Sequence, residues 1–363
     1  MSAFVHTDLK HKTGIITLDR PKALNSLSLD MIRAIATALH DWRDDDKVDA
    51  VVIRSSSERA LCAGGDIRFF YDAGRGSPQG GSALLEDFFT EEYALNHLIH
   101  FYPKPYVAVM DGIVMGGGMG VAQGGESNRM RIVTDRTKMA MPEVNIGLFP
   151  DVGGGYFLSR APGELGTYLG VTGETIGAAD ALYAGLADVF VPAAELPALW
   201  DMIEARHAGD IREAILRFAE PFKDQADPAS SALANWHSMI DKHFAYDDVP
   251  SIVDALTSDG SAFAQATLST INKRSPLMMS VTLSQLRRSA SMGVADCLRM
   301  ERTMVRHSFE QSEVIEGIRS VVIDKDGAPK WVPSSLADVT PEMVERYFEP
   351  AWPSYAHPLR ALA

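Results

Sequence analysis

The sequence predicts an α/β fold that gives way to a mostly helical C-terminal region, and two patterns indicate this. Through residues 1–205, short apolar runs typical of buried strands alternate with segments whose apolar residues recur at helical spacing. Beyond that point, strand-like runs nearly disappear. We therefore expect an α/β core at residues 1–205 that carries the functional site. A helical region at residues 206–363 then completes that site or makes oligomer contacts.

The first elements are a strand, a helix and a second strand. Residues 14–21 (GIITLDRP) predict a short strand, and residues 28–45 carry apolar side chains at helical spacing. Residues 49–56 (DAVVIRSS) are a continuous apolar run, which is typical of a buried strand. This order favours a repeating βα architecture.

The later elements continue the alternation, with glycine-rich turns between them. In order, they are a turn at 61–67 (LCAGGDI), a helix at 84–100, a strand, turn and helix start at 105–122, a strand pair at 130–141, a helix and strand at 175–191, and a short strand and turn at 321–331.

Composition narrows the functional classes. The 363 residues carry a formal net charge of −14, with 46% hydrophobic and 23% charged residues, as in an ordinary globular protein. Such an acidic chain repels phosphate backbones, so we expect no nucleic-acid binding. Two cysteines cannot form a disulfide framework. No targeting peptide or membrane-length apolar run is apparent, and we expect a cytoplasmic protein without membrane contact.

Two acids lie in an almost entirely apolar stretch, residues 141–157 (MPEVNIGLFPDVGGGYF). Acids are rarely buried without a partner or a task, so Glu143 and Asp151 are candidate catalytic residues. Asp151 could instead be a helix N-cap. Glu143 could instead be a loop acid paired with an arginine or lysine.

A third acid, Glu92, falls on the apolar stripe of the helix predicted at 84–100. An acid on the core-facing side of a helix usually has a partner or a role. The alternative is an acid at the edge of the helix that points to solvent.

Two glycine-rich stretches, CAGGD and GGGMG, each follow a predicted strand and precede a predicted helix. Backbone N–H groups from the two loops could together form an oxyanion hole, which stabilises negative charge on a carbonyl oxygen. Tight packing of helix against strand is the alternative. Nucleotide-binding, serine-nucleophile and zinc motifs are not found in the sequence, and we expect no metal.

Several stretches together resemble the crotonase (enoyl-CoA hydratase/isomerase) superfamily: LDRPKALNSL, RALCAGGDI, KPYVAVMDGIVMGGGMG, MAMPEVNIGLFPDVGG and GAADALYAGLADVFV. The resemblance implies a crotonase-type spiral of ββα units. Within the superfamily, the chain is most similar to the branch that hydrolyses 3-hydroxyisobutyryl-CoA, an intermediate of valine catabolism. Gly120 stands where hydratases have their first catalytic glutamate, and Asp151 stands where they usually have glycine. The stretch at 123–133 is about three residues longer than is usual in the family.

The resemblance also implies roles for individual residues. The N–H groups of Ala63 and Gly117 would form the oxyanion hole, Glu143 would be the principal catalytic carboxylate, and Asp151 would assist proton transfer. The residues expected to bind substrate are Glu92, Gly116 and Gly120 near the acyl group, and Lys22, Ala23 and Asp66 near the CoA moiety.

These roles imply hydrolysis of a short 3-hydroxyacyl-CoA thioester, with the CoA belonging to the substrate and no separate cofactor. Glu143 would attack the thioester directly or activate water as a general base. An enoyl-CoA hydratase or isomerase on the same fold is the first alternative, and a non-catalytic binding protein is the second. An acyl-CoA is the expected partner, and a homo-oligomer is possible.

Overall fold

Two compact units make up the chain. The computed structural model describes residues 2–77, 81–125, 128–311 and 313–363. Each unit is assembled from three segments of sequence. Unit 1 comprises Met1–Gly65, Ala94–Ala140 and Thr175–Asn235, and unit 2 comprises Asp66–Tyr93, Met141–Glu174 and Trp236–Ala363.

The strands of the described residues all lie in unit 1. They are β1 (Val5–Lys10), β2 (Thr13–Leu18), β3 (Ala50–Ser55), β4 (Ala60–Cys62), β5 (Tyr106–Met110), β6 (Ile113–Met115), β7 (Arg129–Val133), β8 (Lys138–Ala140) and β9 (Val189–Phe190). One sheet has the order β1-β2-β3-β5-β7-β9, in which β1 and β2 are antiparallel and the other neighbours are parallel. A smaller parallel sheet has the order β4-β6-β8.

Three consecutive strand pairs, β3–β4, β5–β6 and β7–β8, build both sheets in the same way. The first strand of each pair joins the large sheet, and the second joins the small one. Because β4, β6 and β8 are parallel, their carboxyl ends lie at the same edge of the small sheet. The large sheet packs apolar side chains such as Val52, Val107 and Ile132 into a core with Leu199 and Ile215.

The helices follow the strands closely in the first half of the chain and dominate the second half. They are α1 (Leu29–Arg43), α2 (Ile67–Arg75), α3 (Ala83–His100), α4 (Gly117–Ala122), α5 (Gly154–Leu158), α6 (Leu165–Thr172), α7 (Ala178–Tyr183), α8 (Leu196–Glu204), α9 (Ile211–Ala219), α10 (Ala232–Phe244), α11 (Val249–Asp259), α12 (Ala262–Ile271), α13 (Pro276–Ser289), α14 (Val294–Gln311), α15 (Glu313–Ile318) and α16 (Pro341–Glu345). Among the described helices, none is long and apolar enough to cross a membrane.

The predicted elements are confirmed through residue 191, but the predicted domain boundary near residue 205 does not coincide with the two units. Residues 206–235 belong to unit 1, while residues 66–93 and 141–174 belong to unit 2. The prediction followed the loss of strands along the sequence, whereas the units follow contacts in space. The change to helical structure is itself confirmed, since the last described strand is β9.

The strand predicted at the start of residues 321–331 is wrong. Arg319–Ile323 forms a π-helical turn that continues α15. The Val-Val-Ile run has high strand propensity, but nothing in the described structure pairs with it as a strand would require. The longer loop expected at 123–133 includes residues 126 and 127, which lie outside the described residues.

Candidate active site

The two glycine-rich loops of unit 1 meet at the carboxyl ends of β4 and β6. Cys62 pairs with Val114 in the small sheet, so the residues that follow each strand are neighbours. Gly64 has a φ of +108°, and a Cβ built there would lie 3.3 Å from the Met115 carbonyl oxygen and 3.7 Å from the Gly117 nitrogen. Glycine is therefore required at position 64 by both its backbone conformation and the close approach of the second loop.

The hydrogen bonds of the first loop correct the assignment of Ala63 to the oxyanion hole. The Ala63 N–H donates to the carbonyl oxygen of Leu24 at 3.0 Å, so that donor is already used within the fold. The next N–H, on Gly64, donates to the Cys62 sulfur at 3.4 Å, which is a weak acceptor. Of these two N–H groups, the one on Gly64 therefore has the weaker acceptor. In the sequence the adjacent residues of CAGGD could not be told apart.

The second loop presents the first turn of α4. Gly117 is the first residue of that helix, where N–H groups have no partner inside the helix. Gly116 caps the helix with a φ of 50°, and the Gly120 N–H donates back to the Gly116 carbonyl. A Cβ on Gly118 would lie 2.2 Å from the Cys62 carbonyl oxygen. The packing explanation and the donor explanation for this glycine cluster are therefore compatible.

The residues expected to contact CoA occupy helix ends. Lys22 is exposed and Ala23 half-buried in the 3₁₀ turn Pro21–Ala23. The Asp66 side chain caps α2 by accepting from the Phe69 N–H at 3.3 Å. Contacts of all three with CoA stay predictions.

Unit 2 holds the candidate carboxylates, and all of them are buried. Glu92, Glu143 and Asp151 expose 2%, 6% and 5% of their surface. One oxygen of Glu92 (Oε1) and one of Glu143 (Oε2) have no hydrogen-bond partner within the part of the chain that the structure describes. The alternatives of a solvent-facing Glu92 and a cation-paired Glu143 are therefore wrong. Burying an acid whose oxygen has no hydrogen-bond partner lowers the stability of the fold, which points to a functional role for these acids.

Burial also changes how these acids titrate. It raises the pKa of Glu92 and of Glu143 well above the ordinary range, and the nearby Asp151 raises the pKa of both further. Burial raises the pKa of Asp151 to about 6, although hydrogen bonds from Tyr93 and from the backbone oppose the shift. Asp151 is therefore the acid of the three that ionises most readily, and it changes charge close to neutral pH.

Asp151 is positioned by Tyr93, a residue that the sequence analysis missed. The Tyr93 hydroxyl donates to Asp151 Oδ2 at 2.7 Å, and its ring is fully buried. Capping is not the role of the Asp151 side chain: α5 begins at Gly154 with Gly153 as its N-cap, and no side chain caps it in that way. Tyr93 was missed because an aromatic residue on a buried helix is usually core.

The loop after Asp151 depends on a second unpredicted residue, Glu301 of α14. Its two carboxylate oxygens accept the N–H groups of Gly153 at 2.8 Å and Gly155 at 2.9 Å. Gln285 donates to Glu301 at 3.2 Å and to the Pro150 carbonyl at 2.7 Å. Burial raises the pKa of Glu301 to about 8, while the two backbone donors oppose the shift. Glu301 lies on the apolar stripe of its helix, the same signal that identified Glu92, so it could have been found.

The candidate site residues form two sets, which are backbone hydrogen-bond donors in unit 1 and buried acids in unit 2. Unit 1 presents N–H groups at glycines on adjacent loops, and unit 2 presents a cluster of buried acids whose charges repel one another. In the described residues, no three histidine, cysteine or acidic side chains have the geometry of a metal site. Backbone donors stabilise an oxyanion, and acids of this kind attack, or move protons around, an activated carbonyl.

Comparison with known proteins agrees with this chemistry. A profile described as enoyl-CoA hydratase/isomerase matches residues 13–348. Curated relatives named "3-hydroxyisobutyryl-CoA hydrolase, mitochondrial" include that of Danio rerio, 40% identical over 93% of this chain and 87% of the relative, and that of Homo sapiens, 37% identical over 93% and 86%. These relatives are named as mitochondrial proteins, so they do not support the cytoplasmic location expected from the sequence.

Solved structures share the whole fold. A carnitinyl-CoA dehydratase from Mycobacterium thermoresistibile is 40% identical, with a TM-score of 0.89 over 97% of this chain and 98% of that one. An enoyl-CoA hydratase from Rhodobacter sphaeroides is 36% identical, with a TM-score of 0.86 over 96% and 98%. The alternation of strand pairs described above is thus the crotonase fold, as the resemblance implied. The chain belongs to the enoyl-CoA hydratase/isomerase family.

Proposed function

We propose that this protein is an acyl-CoA thioester hydrolase that acts on short 3-hydroxyacyl-CoA substrates, with 3-hydroxyisobutyryl-CoA as the expected one. The observation that carries the proposal is Glu143, a buried carboxyl group with one oxygen unpartnered among the described residues and an acid neighbour that titrates near neutral pH. The relatives that are 37% and 40% identical carry the name of this hydrolase, which supports the choice of substrate.

The thioester carbonyl requires polarisation before it can be attacked. We assign this to the N–H groups of Gly64 and Gly117, because the acceptor of the first is a weak one, a sulfur, and the second begins a helix. Loss of one donor from such a pair typically lowers the rate by about 10²–10³. Gly116 and Gly120 keep the second loop close to the acyl group by presenting no side chain.

Glu143 then attacks the carbonyl carbon. In the resting site Asp151 is ionised and Glu143 holds its proton, because Asp151 has the lower pKa. Asp151 takes the proton from Glu143, the Glu143 carboxylate displaces CoA as a thiolate, and a mixed anhydride forms. Asp151 returns the proton to the thiolate. Water opens the anhydride, releasing the hydroxy acid as its carboxylate and one proton, and Glu143 is protonated again.

A general-base route uses the same residues in another order. In it, Glu143 takes a proton from water, which attacks the carbonyl directly, and the proton then passes to the departing thiolate. Both routes need an ionised Glu143 at the moment of attack and a neighbouring acid that exchanges protons. Glu92 would line the acyl pocket in either case, and its Oε1, which has no hydrogen-bond partner among the described residues, would be available to a substrate hydroxyl.

Hydration of an enoyl-CoA is the second candidate. The solved structures named a dehydratase and a hydratase are 40% and 36% identical, so overall similarity does not separate the two reactions. Gly120 favours hydrolysis, because the resemblance places the first hydratase glutamate at this position and a glycine has no carboxyl group. An isomerase would need a single base, which Glu143 could supply.

The proposed function requires the chain to bind CoA, which belongs to the substrate. Its phosphates are anionic, and we propose that the exposed Lys22 contacts them, with the backbone of Ala23 and Asp66 nearby on the adenine side. A homo-oligomer would be compatible with this function.

The test is a comparison of substrates. Purified protein is given 3-hydroxyisobutyryl-CoA, 3-hydroxypropionyl-CoA and crotonyl-CoA, and both free thiol and the acyl product are measured. We expect thiol release from the two hydroxyacyl thioesters, which differ by one methyl group and should differ in kcat/KM by no more than about 10–200-fold. Hydration of crotonyl-CoA without thiol release would instead establish a hydratase, and no turnover of any substrate would favour a binding protein.

A further inference from the structure

The carboxyl group of Asp151 is held by a neutral donor. The Tyr93 hydroxyl lies 2.7 Å from Asp151 Oδ2, and the whole side chain of Tyr93 is buried. Its ring packs against Phe89, with centroids 6.0 Å apart. The phenol is therefore fixed in direction by its helix and by its aromatic neighbour, and it can hold the aspartate in one rotamer.

The backbone around Asp151 is already fixed by other groups. Gln285 binds the carbonyl of the preceding residue, Pro150, and Glu301 binds the N–H groups of Gly153 and Gly155. Val152 has a φ of 55°, which is strained for a β-branched side chain and is tolerated only where the surroundings impose it. With the backbone held in this way, the torsion of the Asp151 side chain is the remaining freedom, and Tyr93 removes it.

Other titratable groups surround Asp151 and Tyr93, and they determine whether the Tyr93 hydroxyl keeps its proton. The titratable groups that face Asp151 and Tyr93 are Glu92 on the same helix as Tyr93, Glu143 in the 3₁₀ turn after β8, and Glu301 with Arg302 on α14. Burial raises the pKa of Tyr93 well above its ordinary value, and the neighbouring acids raise it further, so the phenol keeps its proton. Arg302 is directed elsewhere, to Glu86. Tyr93 is thus the side chain that stabilises an ionised Asp151.

We propose that Tyr93 is a positioning residue that keeps Asp151 ionised and correctly oriented among its acidic neighbours, so that Asp151, rather than Glu143, is the charged member of the resting site. The proposal rests on the hydrolase function above, since it assigns Asp151 the task of accepting a proton. It accounts for how one of two buried, mutually repelling acids carries a charge when the reaction starts.

The experiment is the pH dependence of kcat for the wild type and for Tyr93→Phe, with 3-hydroxyisobutyryl-CoA as substrate. Removing the hydroxyl leaves the Asp151 carboxylate without its donor, so the acidic limb of the profile should move to higher pH by roughly one to two units. At pH 6 the variant should lose about 5- to 50-fold in kcat, and it should recover most of that activity above pH 8, with KM little changed.

Tyr347→Phe is the matched control, because Tyr347 is also a fully buried tyrosine of unit 2 and its hydroxyl has no hydrogen-bond partner among the described residues. We expect its profile to follow the wild type. An unshifted limb in Tyr93→Phe, an equal loss at every pH, or an equal shift in Tyr347→Phe would each overturn the proposal.

A second readout separates this inference from the proposed function. Carbon NMR of protein labelled with ¹³C at the aspartate carboxyls, with Asp151→Asn used for assignment, follows the protonation of Asp151 directly. The midpoint should rise by one to two pH units in Tyr93→Phe even if no thioester is hydrolysed. If the wild type releases thiol and the midpoint does not move, the role of Tyr93 is wrong and the hydrolase stands.

Discussion

At the residue scale, the chemistry depends on acids that are buried and that form no ion pair with a cation in the part of the chain that the structure describes. Burial raises the pKa of Glu92, Glu143 and Asp151, and the charge of Asp151 raises the other two further. Because like charges in a desolvated site cannot all ionise together, the site divides into one ionised acid and others that hold protons. By donating a hydrogen bond to Asp151, the Tyr93 hydroxyl stabilises the negative charge on Asp151 rather than on its neighbours.

The pH dependence of the wild type follows from Asp151. Its pKa is raised from 3.8 to about 6, so it is protonated below pH 6 and ionised above. Since the ionised form accepts the proton from Glu143, kcat should fall about tenfold per pH unit below 6. Asp151→Asn should lower kcat by roughly 10²–10⁴ and remove this limb. The pH–rate profile checks both, with the exposed Asp41→Asn as the control. A wild-type profile in Asp151→Asn would contradict the assignment.

At the element scale, the parallel strands of the small sheet deliver two loops to one edge. Glycine is needed in those loops for different reasons: Gly64 adopts a φ of +108° beside the second loop, and Gly118 lies against the Cys62 carbonyl. Each loop contributes one N–H group with a weak acceptor or at the start of a helix, on Gly64 and on Gly117, while other polar groups of the loops serve the fold. The Ala63 N–H, bonded to Leu24, is one of those that serve the fold.

Gly64→Ala tests the corrected donor. An added Cβ would be strained at this φ and would press on the Met115 carbonyl, so the Gly64 N–H should be displaced. We expect kcat for thiol release to fall by about 10²–10³, with secondary structure retained in circular dichroism. Gly76→Ala is the control, because a Cβ there would make only ordinary contacts, the nearest at 3.5 Å. A variant at position 64 with wild-type kcat would return the donor role to another residue.

Particular residues show what the sequence could reveal at these scales. The acids Glu143 and Asp151 stood out because their neighbours are apolar, and Glu92 because it interrupts an apolar stripe. Glu301 carries the same signal as Glu92 but lies in a distant helix, so its contact with the Asp151 loop is a product of tertiary folding. The choice of Gly64 over Ala63 depends on a single backbone hydrogen bond, which no sequence pattern encodes.

At the scale of the whole molecule, two compact units are each drawn from three parts of the sequence. The change from strands to helices near residue 205 is real, but it does not mark a unit because residues from the first half of the chain contribute to both. Fold class could be predicted because strand runs and helix stripes are local patterns. The division into units could not, because it depends on contacts between distant segments.

Buried acids also govern how the stability of the molecule depends on pH. Burial raises the pKa of Glu313, the first residue of α15, from 4.5 to about 7, while Ser275 opposes the shift with a hydrogen bond. The folded chain therefore holds a proton that the unfolded chain releases above pH 4.5. The stabilisation from this group is complete below pH 4.5 and is lost as pH rises through 7, a change of about 3 kcal/mol in the free energy of unfolding.

Glu313→Gln should remove this dependence, because an amide does not ionise. Relative to the wild type, the variant should gain stability between pH 5 and pH 8, as measured by the urea midpoint at each pH. Glu342→Gln, an exposed acid of unit 2, should leave the difference between the two midpoints unchanged. If both variants behave alike, the buried carboxyl of Glu313 does not carry the pH dependence.

The measurement that tests the central claim most directly is thiol release from 3-hydroxyisobutyryl-CoA by Glu143→Gln beside the wild type. The amide keeps the size of the side chain but can neither attack the thioester nor take a proton from water. We expect the rate to fall by at least about 10²–10⁴, with thermal unfolding and the exposed Glu213→Gln control close to the wild type. A folded Glu143→Gln protein that releases thiol at the wild-type rate would contradict the account.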